Sequence, residues 1–383
     1  NASSVILTVD ASDVTSGLDQ VRLSFDGGMT WDAWTPFATT TLLELPGTDG
    51  TKDIRCQIMD KAGNVATFAD TIILDQTAPT GAVVINNNAG YVATIFVTLN
   101  LSVSDSLSGV SQRRFSTDGG LTWTGWENYT TTKSITLPNA DGIKEVQCQV
   151  KDRADNINTF VDTIVLDRVA PSGSFTINDN AVYARSTSVT LNLAVSDDIL
   201  GVYQMRFSTD GGTVWTSWQS YSATTSLTLP GGDGSKTVKG QFKDFAGNTT
   251  TLSQSIILDR TFPTGTVSIN GGAIYTNTTS VNLSLTASDA TSGVDQIRFS
   301  TTSGLYWTDW QSPVESMAFT LPEGDGTKRV TVAIRDRAGN IWWIYDEIIQ
   351  DISAPTGSVT ISNGFNRINS SAVTLQLSAS DVT

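Results

Sequence analysis

The residues best able to do chemistry in this chain are loop aspartates that return every 92 positions. Asp13, Asp105, Asp197 and Asp289 form one series, Asp49 and Asp141 begin a second, and Asp60, Asp152, Asp244 and Asp336 form a third. Four residues after Asp60 and Asp152 stand Asn64 and Asn156. Loop carboxylates grouped with backbone carbonyls are how extracellular modules hold Ca²⁺, often at affinities of only about 10⁻⁴–10⁻³ M. Asp13, Asp60, Asn64, Asp105, Asp152, Asp197, Asp244, Asp289 and Asp336 are therefore the candidate Ca²⁺ ligands. A competing reading applies to each of them. Asp and Asn at strand ends are also default turn residues that accept backbone hydrogen bonds. Lys52, Lys144, Lys236 and Lys328 lie close in sequence to Asp49 and its counterparts and are expected to neutralise them. No other cofactor is indicated.

Nucleophilic catalysis is poorly supplied. There is no histidine, so Ser–His and Cys–His systems cannot be built. Cys56 and Cys148 are one period apart and so hold the same place in neighbouring units. Equivalent points of adjacent units lie too far apart for a disulfide, which needs Cα atoms within about 7 Å. Each alternates with apolar neighbours (Ile54 and Ile58, Val146 and Val150), which predicts a buried free thiol. A carboxylate pair of the glycosidase kind needs one raised pKa in a cleft, and the loop aspartates read as exposed. The chain is not expected to be an enzyme.

Ser116 to Trp123 fits the pattern S-x-D-x-G-x-T-W, as does Ser24 to Trp31. The pattern resembles the Asp-box hairpins of sialidases. Ser208 to Trp215 lacks only the Thr, and Ser300 to Trp307 has Thr302 in place of the Asp and Tyr306 in place of the Thr. The expected role is structural, with the Asp capping hairpin N–H groups above a packed Trp. A period of 92 is too long for a propeller blade of about 40–50 residues.

Each repeat has two tryptophans three apart: Trp31/Trp34, Trp123/Trp126, Trp215/Trp218 and Trp307/Trp310. On a strand, such a pair faces opposite sides, one toward the core and one outward. Trp342 and Trp343 are extra aromatics, standing where the first two repeats have Ala66-Thr67 and Asn158-Thr159. At least one of them should be exposed, which makes this pair the candidate contact surface. Sequons occur at Asn1 and at Asn100, Asn128, Asn248, Asn277, Asn282 and Asn369, which are candidate glycosylation positions. Asn100 and Asn282 fall on the polar face of a strand.

These residues must be positioned by a unit of 92 residues, repeated without insertion or deletion. Pro79, Pro171, Pro263 and Pro355 keep the same spacing. A period this long is a whole small domain, longer than a solenoid turn of about 20–50 residues. Within 78–169, strands are expected at 82–86, 95–104, 110–116, 122–127, 133–137, 143–151 and 159–166. The evidence is period-two alternation, as in Val97, Leu99, Leu101 and Val103, broken by turn residues such as Thr117-Asp118-Gly119-Gly120. Seven short strands with turns every 8 to 12 residues describe an all-β, immunoglobulin-like β-sandwich. The expected domains are 1–77 lacking a first strand, 78–169, 170–261, 262–353, and 354–383 with two strands. Residues 2–13 align with 94–105, which places the start of the chain at a second strand.

The motifs Asp13-Val14-Thr15-Ser16-Gly17-Leu18, Asp49-Gly50-Thr51-Lys52, Asp60-Lys61-Ala62-Gly63-Asn64 and Leu74-Asp75-Gln76-Thr77-Ala78-Pro79-Thr80-Gly81 recur with modest variation. Through them the whole chain resembles the tandem immunoglobulin-like repeats of large bacterial and archaeal surface, adhesin and filament proteins. It lacks the Cys…Trp…Cys core of antibody domains, so no immune role follows. The resemblance implies a structural protein of the cell surface: a semi-rigid rod, stalk, filament or surface-layer component. The alternative it allows is an adhesin that binds carbohydrate or a partner protein through exposed tryptophans and loops. The implied location is extracellular, and the implied partners are neighbouring repeats or further copies of the same protein.

Charge and linkers agree with that expectation. The net charge is −15, from 38 acidic and 23 basic residues. This disfavours nucleic acid and anionic membranes, which need clustered Lys and Arg. No apolar run nears the roughly 18–20 residues of a membrane helix. Between Asp75 and Gly81 lie only Gln76 to Thr80, including a proline, which should limit tumbling between domains. Strands of 8 to 10 residues at about 3.3 Å each span roughly 26–33 Å, which with end loops and linker makes domains roughly 35–40 Å long, and four such domains a rod on the order of 150 Å.

Overall fold

A computed structural model describes residues 4–364 and 366–381. It is built from strands, with two three-residue 3₁₀ turns at Asn178–Asn180 and Ser362–Gly364. Among the described residues no helix is long and apolar enough to cross a membrane. The chain forms two compact units. The first is residues 1–171 with 197–201 and 243–249; the second is 172–196, 202–242 and 250–383.

In the first unit, the repeat 78–169 shows how the sequence makes the fold. Its strands are β1 (Thr80–Ile85), β2 (Tyr91–Val92), β3 (Phe96–Ser104), β4 (Val110–Ser116), β5 (Glu127–Asn128), β6 (Thr132–Thr136), β7 (Gly142–Asp152) and β8 (Ile157–Leu166). One sheet has the order β6-β3-β1 and the other β5-β4-β7-β8-β2. β7 and β8 form a long antiparallel ladder from Gly142↔Leu166 to Lys151↔Ile157. β2 runs parallel to the end of β8, with Val165 opposite Tyr91.

Alternation does the sorting. Val97, Leu99, Leu101 and Val103 of β3 and Val146, Cys148 and Val150 of β7 all face inward and are buried. They meet Val83, Ile85, Phe115, Leu137 and Ile164 in one core between the sheets. The Asp162 carboxylate of β8 ties the two sheets together, accepting from the Ile85 N–H of β1 at 2.7 Å. Gly81 opens β1 where a side chain has no room. Its φ is +146°, and a Cβ there would lie 2.0 Å from the Ser102 carbonyl oxygen of β3.

Two expectations need correction. Residues 122–127 are not a strand: only the two-residue β5 forms, and the preceding box engages the Thr122 N–H and the Trp123 indole. β2 was not foreseen, since two residues carry no periodicity. The cysteines are buried free thiols, and burial pushes Cys148 up to about 12.

The first repeat, also in this unit, has a two-stranded sheet (Ser4–Thr8 with Thr40–Glu44) and a four-stranded one built around Leu18–Ser24 and Gly50–Asp60. The sandwich over 172–260, most of which belongs to the second unit, repeats the β1–β8 pairing strand for strand around Phe175, Phe207 and Phe242. The next repeat does likewise around Leu283, Phe299 and Val332, except that the β5 equivalent is reduced to the single bridge Ile297↔Gln311. Thr356–Ile361 and Leu375–Ser380 then pair as two strands.

Candidate functional site

The loop aspartates are first of all turn builders. The Asp105 Oδ1 accepts from the N–H groups of Leu107, Ser108 and Gly109 at 2.8–3.0 Å. Asp13, Asp197 and Asp289 close the same loop in their repeats. The Asp152 Oδ1 accepts from Ala154 and Asn156 N–H. Asp155, at the position of Gly63, has φ +64°, the left-handed conformation that Asp tolerates.

The fold then gathers these turns. Carboxylate oxygens of Asp75, Asp105 and Asp152 lie within 4.8 Å of one another, and so do those of Asp167, Asp197 and Asp244, and of Asp259, Asp289 and Asp336. In each trio the first acid follows the last strand of one repeat, and the other two are loop acids of the next. Each trio lies within a single compact unit. The loop acids were expected to be exposed. In fact Asp75, Asp152, Asp167, Asp244, Asp259 and Asp336 are buried, because the neighbouring repeat covers the loop. Burial, and then the nearby Asp197 and Asp244 carboxylates, push the Asp167 carboxyl above its ordinary range, and burial does the same to Asp336.

Sequence reasoning named two members of each trio and missed the third. Asp75, Asp167 and Asp259 each follow a buried leucine at the end of a strand, which reads as ordinary strand termination. Their recurrence in that place every 92 residues was the available signal. Asp13 and Asp60 are not joined by a third acid among the described residues. Asn64 turns its amide nitrogen, not its oxygen, toward Asp60 (2.7 Å).

The counterparts of Asn64 act as clamps. The Asn156 Nδ2 donates to Asp152 Oδ2 and to the Asp75 carbonyl at 2.9 Å. Asn248 Nδ2 donates to Asp244 Oδ2 and the carbonyls of Asp167 and Val169. Asn340 Nδ2 donates to Asp336 Oδ2 and the carbonyls of Asp259 and Thr261. The linker backbone leaving one repeat is thus held by a side chain of the next. At the joint carrying Asp167, the rings of Tyr91 and Phe245 also meet edge-on, 5.9 Å apart.

The acids of the second series serve the linker, with Lys144 and Lys328 adding to the charges that lower Asp141 and Asp325. Asp49 accepts from Gln76 N–H at 2.9 Å, and Asp141 pairs with Arg168 at 2.7 Å. Asp233 pairs with Arg260. Lys52 and Lys328 reach backbone carbonyls of Thr48 and Glu323.

The boxes fold as hairpin supports. In the second repeat, Asp118 accepts from Ser116 Oγ, Thr122 N–H and Thr122 Oγ1, and Ser116 Oγ accepts from Gly120 N–H. These bonds to the ionised carboxylate, Thr122's first, lower Asp118 to about 2. In the fourth repeat the Thr302 hydroxyl takes the place of the missing carboxylate, accepting from Tyr306 N–H at 2.8 Å.

Both tryptophans of each pair are half-buried. They do not face opposite sides, because their segment is not a strand. They enclose an arginine of β4 or its equivalent: Arg114 stands 5.0 and 4.6 Å from the ring centres of Trp123 and Trp126. Arg22, Arg206 and Arg298 are held the same way. The sequence signal was the recurrence of that arginine every 92 residues.

Trp342 and Trp343 are 46% and 54% exposed. Trp342 packs on Phe262, and Trp343 lies opposite Ala333. Asn128, Asn277, Asn282 and Asn369 are exposed and Asn100 is half-buried, whereas the Asn248 amide is engaged in its joint. Asn1 lies outside the described residues.

Residues 172–260 match the family model of a bacterial Ig-like domain. The flanking repeats share the motifs of that segment position for position. No curated protein matches it. Among solved structures, it is similar to a tetra-tandem repeat from the extending region of a large adhesion protein, with 16% identity over 91% of this chain and 95% of that one and a TM-score of 0.32. A second similar structure comes from a 1.5-MDa bacterial ice-binding adhesin, with 17% identity, 72% and 98% coverage and a TM-score of 0.37. A third comes from the fibronectin(III)-like modules of Clostridium thermocellum CbhA, with 14% identity, 46% and 92% coverage and a TM-score of 0.31.

Proposed function

We propose that this chain is part of an extracellular, cell-surface structural array, a semi-rigid rod or stalk in which the Ig-like repeats set reach. The observation that carries the reading is the joint. Asn156, Asn248 and Asn340 fasten linker carbonyls of the preceding repeat, which opposes the free tumbling that a Gly/Ser tether would allow. The excess of acidic over basic residues keeps such arrays soluble and mutually repelling. Neither the boxes nor the joints supply a nucleophile with its base, so no catalytic role is proposed.

Antibodies raised against this chain should label intact, unpermeabilised cells of the source organism. Labelling seen only after lysis would contradict the surface reading.

A second reading, an adhesin, is favoured by one place in the fourth repeat. In the first two repeats Gln57 and Gln149 bond across the ladder to Thr67 and Thr159. Here Ala333 and Trp343 replace that polar pair. Tyr345, two residues on, is 58% exposed beneath Arg329. Aromatic faces of this kind can stack on sugar rings or on another chain.

A further inference from the structure

Resting on the adhesin reading above, we propose that the outer sheet face of the fourth repeat binds an acidic saccharide, with Trp343 as the stacking platform and Arg298 as the contact for the anion. In Gly326–Asp336 and Ile341–Gln350, side chains alternate between the core and this face. Arg298, Ala333 and Trp343 stand in one row across three strands. Tyr345 follows in the next row, opposite Thr331.

Several positions of this face depart together from the other repeats. Where those carry Gln57, Gln149 and Gln241, the fourth has Ala333, and where they carry Thr67, Thr159 and Thr251, it has Trp343. Tyr345 replaces Ala69, Val161 and Ser253, and Arg329 replaces Asp53, Glu145 and Thr237. The loss of the glutamine has the clearest consequence. Its Oε1 accepts from the Nε of Arg22, Arg114 and Arg206 at 2.9, 2.8 and 2.8 Å. Arg298 lacks that acceptor. Its Nε is buried without a partner, and among the described residues its guanidinium forms no hydrogen bond or ion pair. The rings of Trp307 and Trp310 hold it from either side, 4.7 and 4.4 Å away.

A fixed cation without a counter-charge, in a chain of net charge −15, favours an anion supplied by a ligand. The aromatic surface beside it is open, since Trp343 and Tyr345 are more than half exposed. Arg329 lies against Tyr345, 3.4 Å from the ring centre. Its Nε, 3.8 Å from Glu347 Oε1, is a second buried donor without a hydrogen-bond partner. A pyranose ring presents a C–H face that stacks on an aromatic ring. A carboxylate or sulfate on the same sugar gives arginine the acceptor it binds best. A neutral sugar would use the platform and leave the Arg298 charge unmatched.

The test is an array of neutral, uronic-acid, sialylated and sulfated oligosaccharides probed with the whole 383-residue chain, followed by calorimetric titration with the best-bound member. Acidic sugars should lead, and the arms of the array separate carboxylate from sulfate. W343T and A333Q each restore the residue type of the other repeats and should fold. Y345S, which copies Ser253, gives the readout if W343T does not. W343T should weaken the best ligand about tenfold by removing the stacked ring. A333Q should weaken acidic sugars and spare neutral ones, because the added amide takes the Arg298 Nε. Neutral sugars bound as tightly as acidic ones, or an A333Q chain that binds acidic sugars like wild type, would overturn the proposal. Binding that persists in W343T would overturn this site and leave adhesion to another surface of the chain. Absence of all glycan binding would also overturn it, while leaving adhesion to a partner protein. A dimer seen by sedimentation and lost in W343T, with no glycan bound, would assign the face to a second copy instead.

Discussion

Asp118 and its counterparts do with one carboxylate what a short hairpin cannot do with backbone alone. The bonds that hold Asp118 near 2 also hold Asp26 and Asp210 below the ordinary range, led by Thr30 and by Val214 N–H respectively. A carboxylate lowered by folding stabilises the fold above its unfolded pKa, and that contribution is lost as pH falls through the folded value. The loss should therefore run from about pH 4 down to about pH 2. A chain carrying D26N, D118N and D210N should unfold at lower temperature than wild type at pH 6, and the gap should narrow toward pH 2. A gap unchanged over that range in thermal scans would show that these carboxylates do not support the hairpins.

At the same scale, the recurring loop acids were legible from sequence, but their company was not. Asp105 and Asp152 stand out by period, while Asp75 becomes a partner only when one repeat is laid against the next. Local spacing carries no record of that approach.

At the scale of the element, long alternating strands such as β3 and β7 could be read from their residues because burial imposes period two. The segment 122–127 could not. Its residues are strand-like in type, but Asp118 takes the Thr122 N–H and the Trp123 indole bonds back to the Gly120 carbonyl, so no ladder forms there. The tryptophan pair was misplaced for the same reason, since facing rules for strands do not apply in a turn.

The start of β1 is an element whose geometry a single atom decides. A side chain at Gly81 would need a φ that L-residues rarely adopt, and its Cβ would strike the Ser102 carbonyl. G81A should cost at least about 1–3 kcal/mol, the range for backbone strain of this kind. Chemical denaturation would read this as a lower midpoint for one domain. A midpoint equal to wild type would mean that β1 is free to shift away from β3.

For the whole molecule, the 92-residue period gives the expected number of domains and their boundaries. What the period left open was the nature of the joints. They contain the acid trios, the asparagine clamps and the proline-bearing linkers, all built from residues that read as turn chemistry within one repeat. The central claim is that these joints limit motion, so that the array sets distance. Small-angle X-ray scattering of the 383-residue chain tests it most directly. Four sandwiches end to end, on the order of 150 Å by strand rise, should give a rod-like cross-section and a radius of gyration of about 40 Å. A value near about 21 Å, as for a compact chain of this length, or a curve characteristic of freely jointed domains, would contradict it.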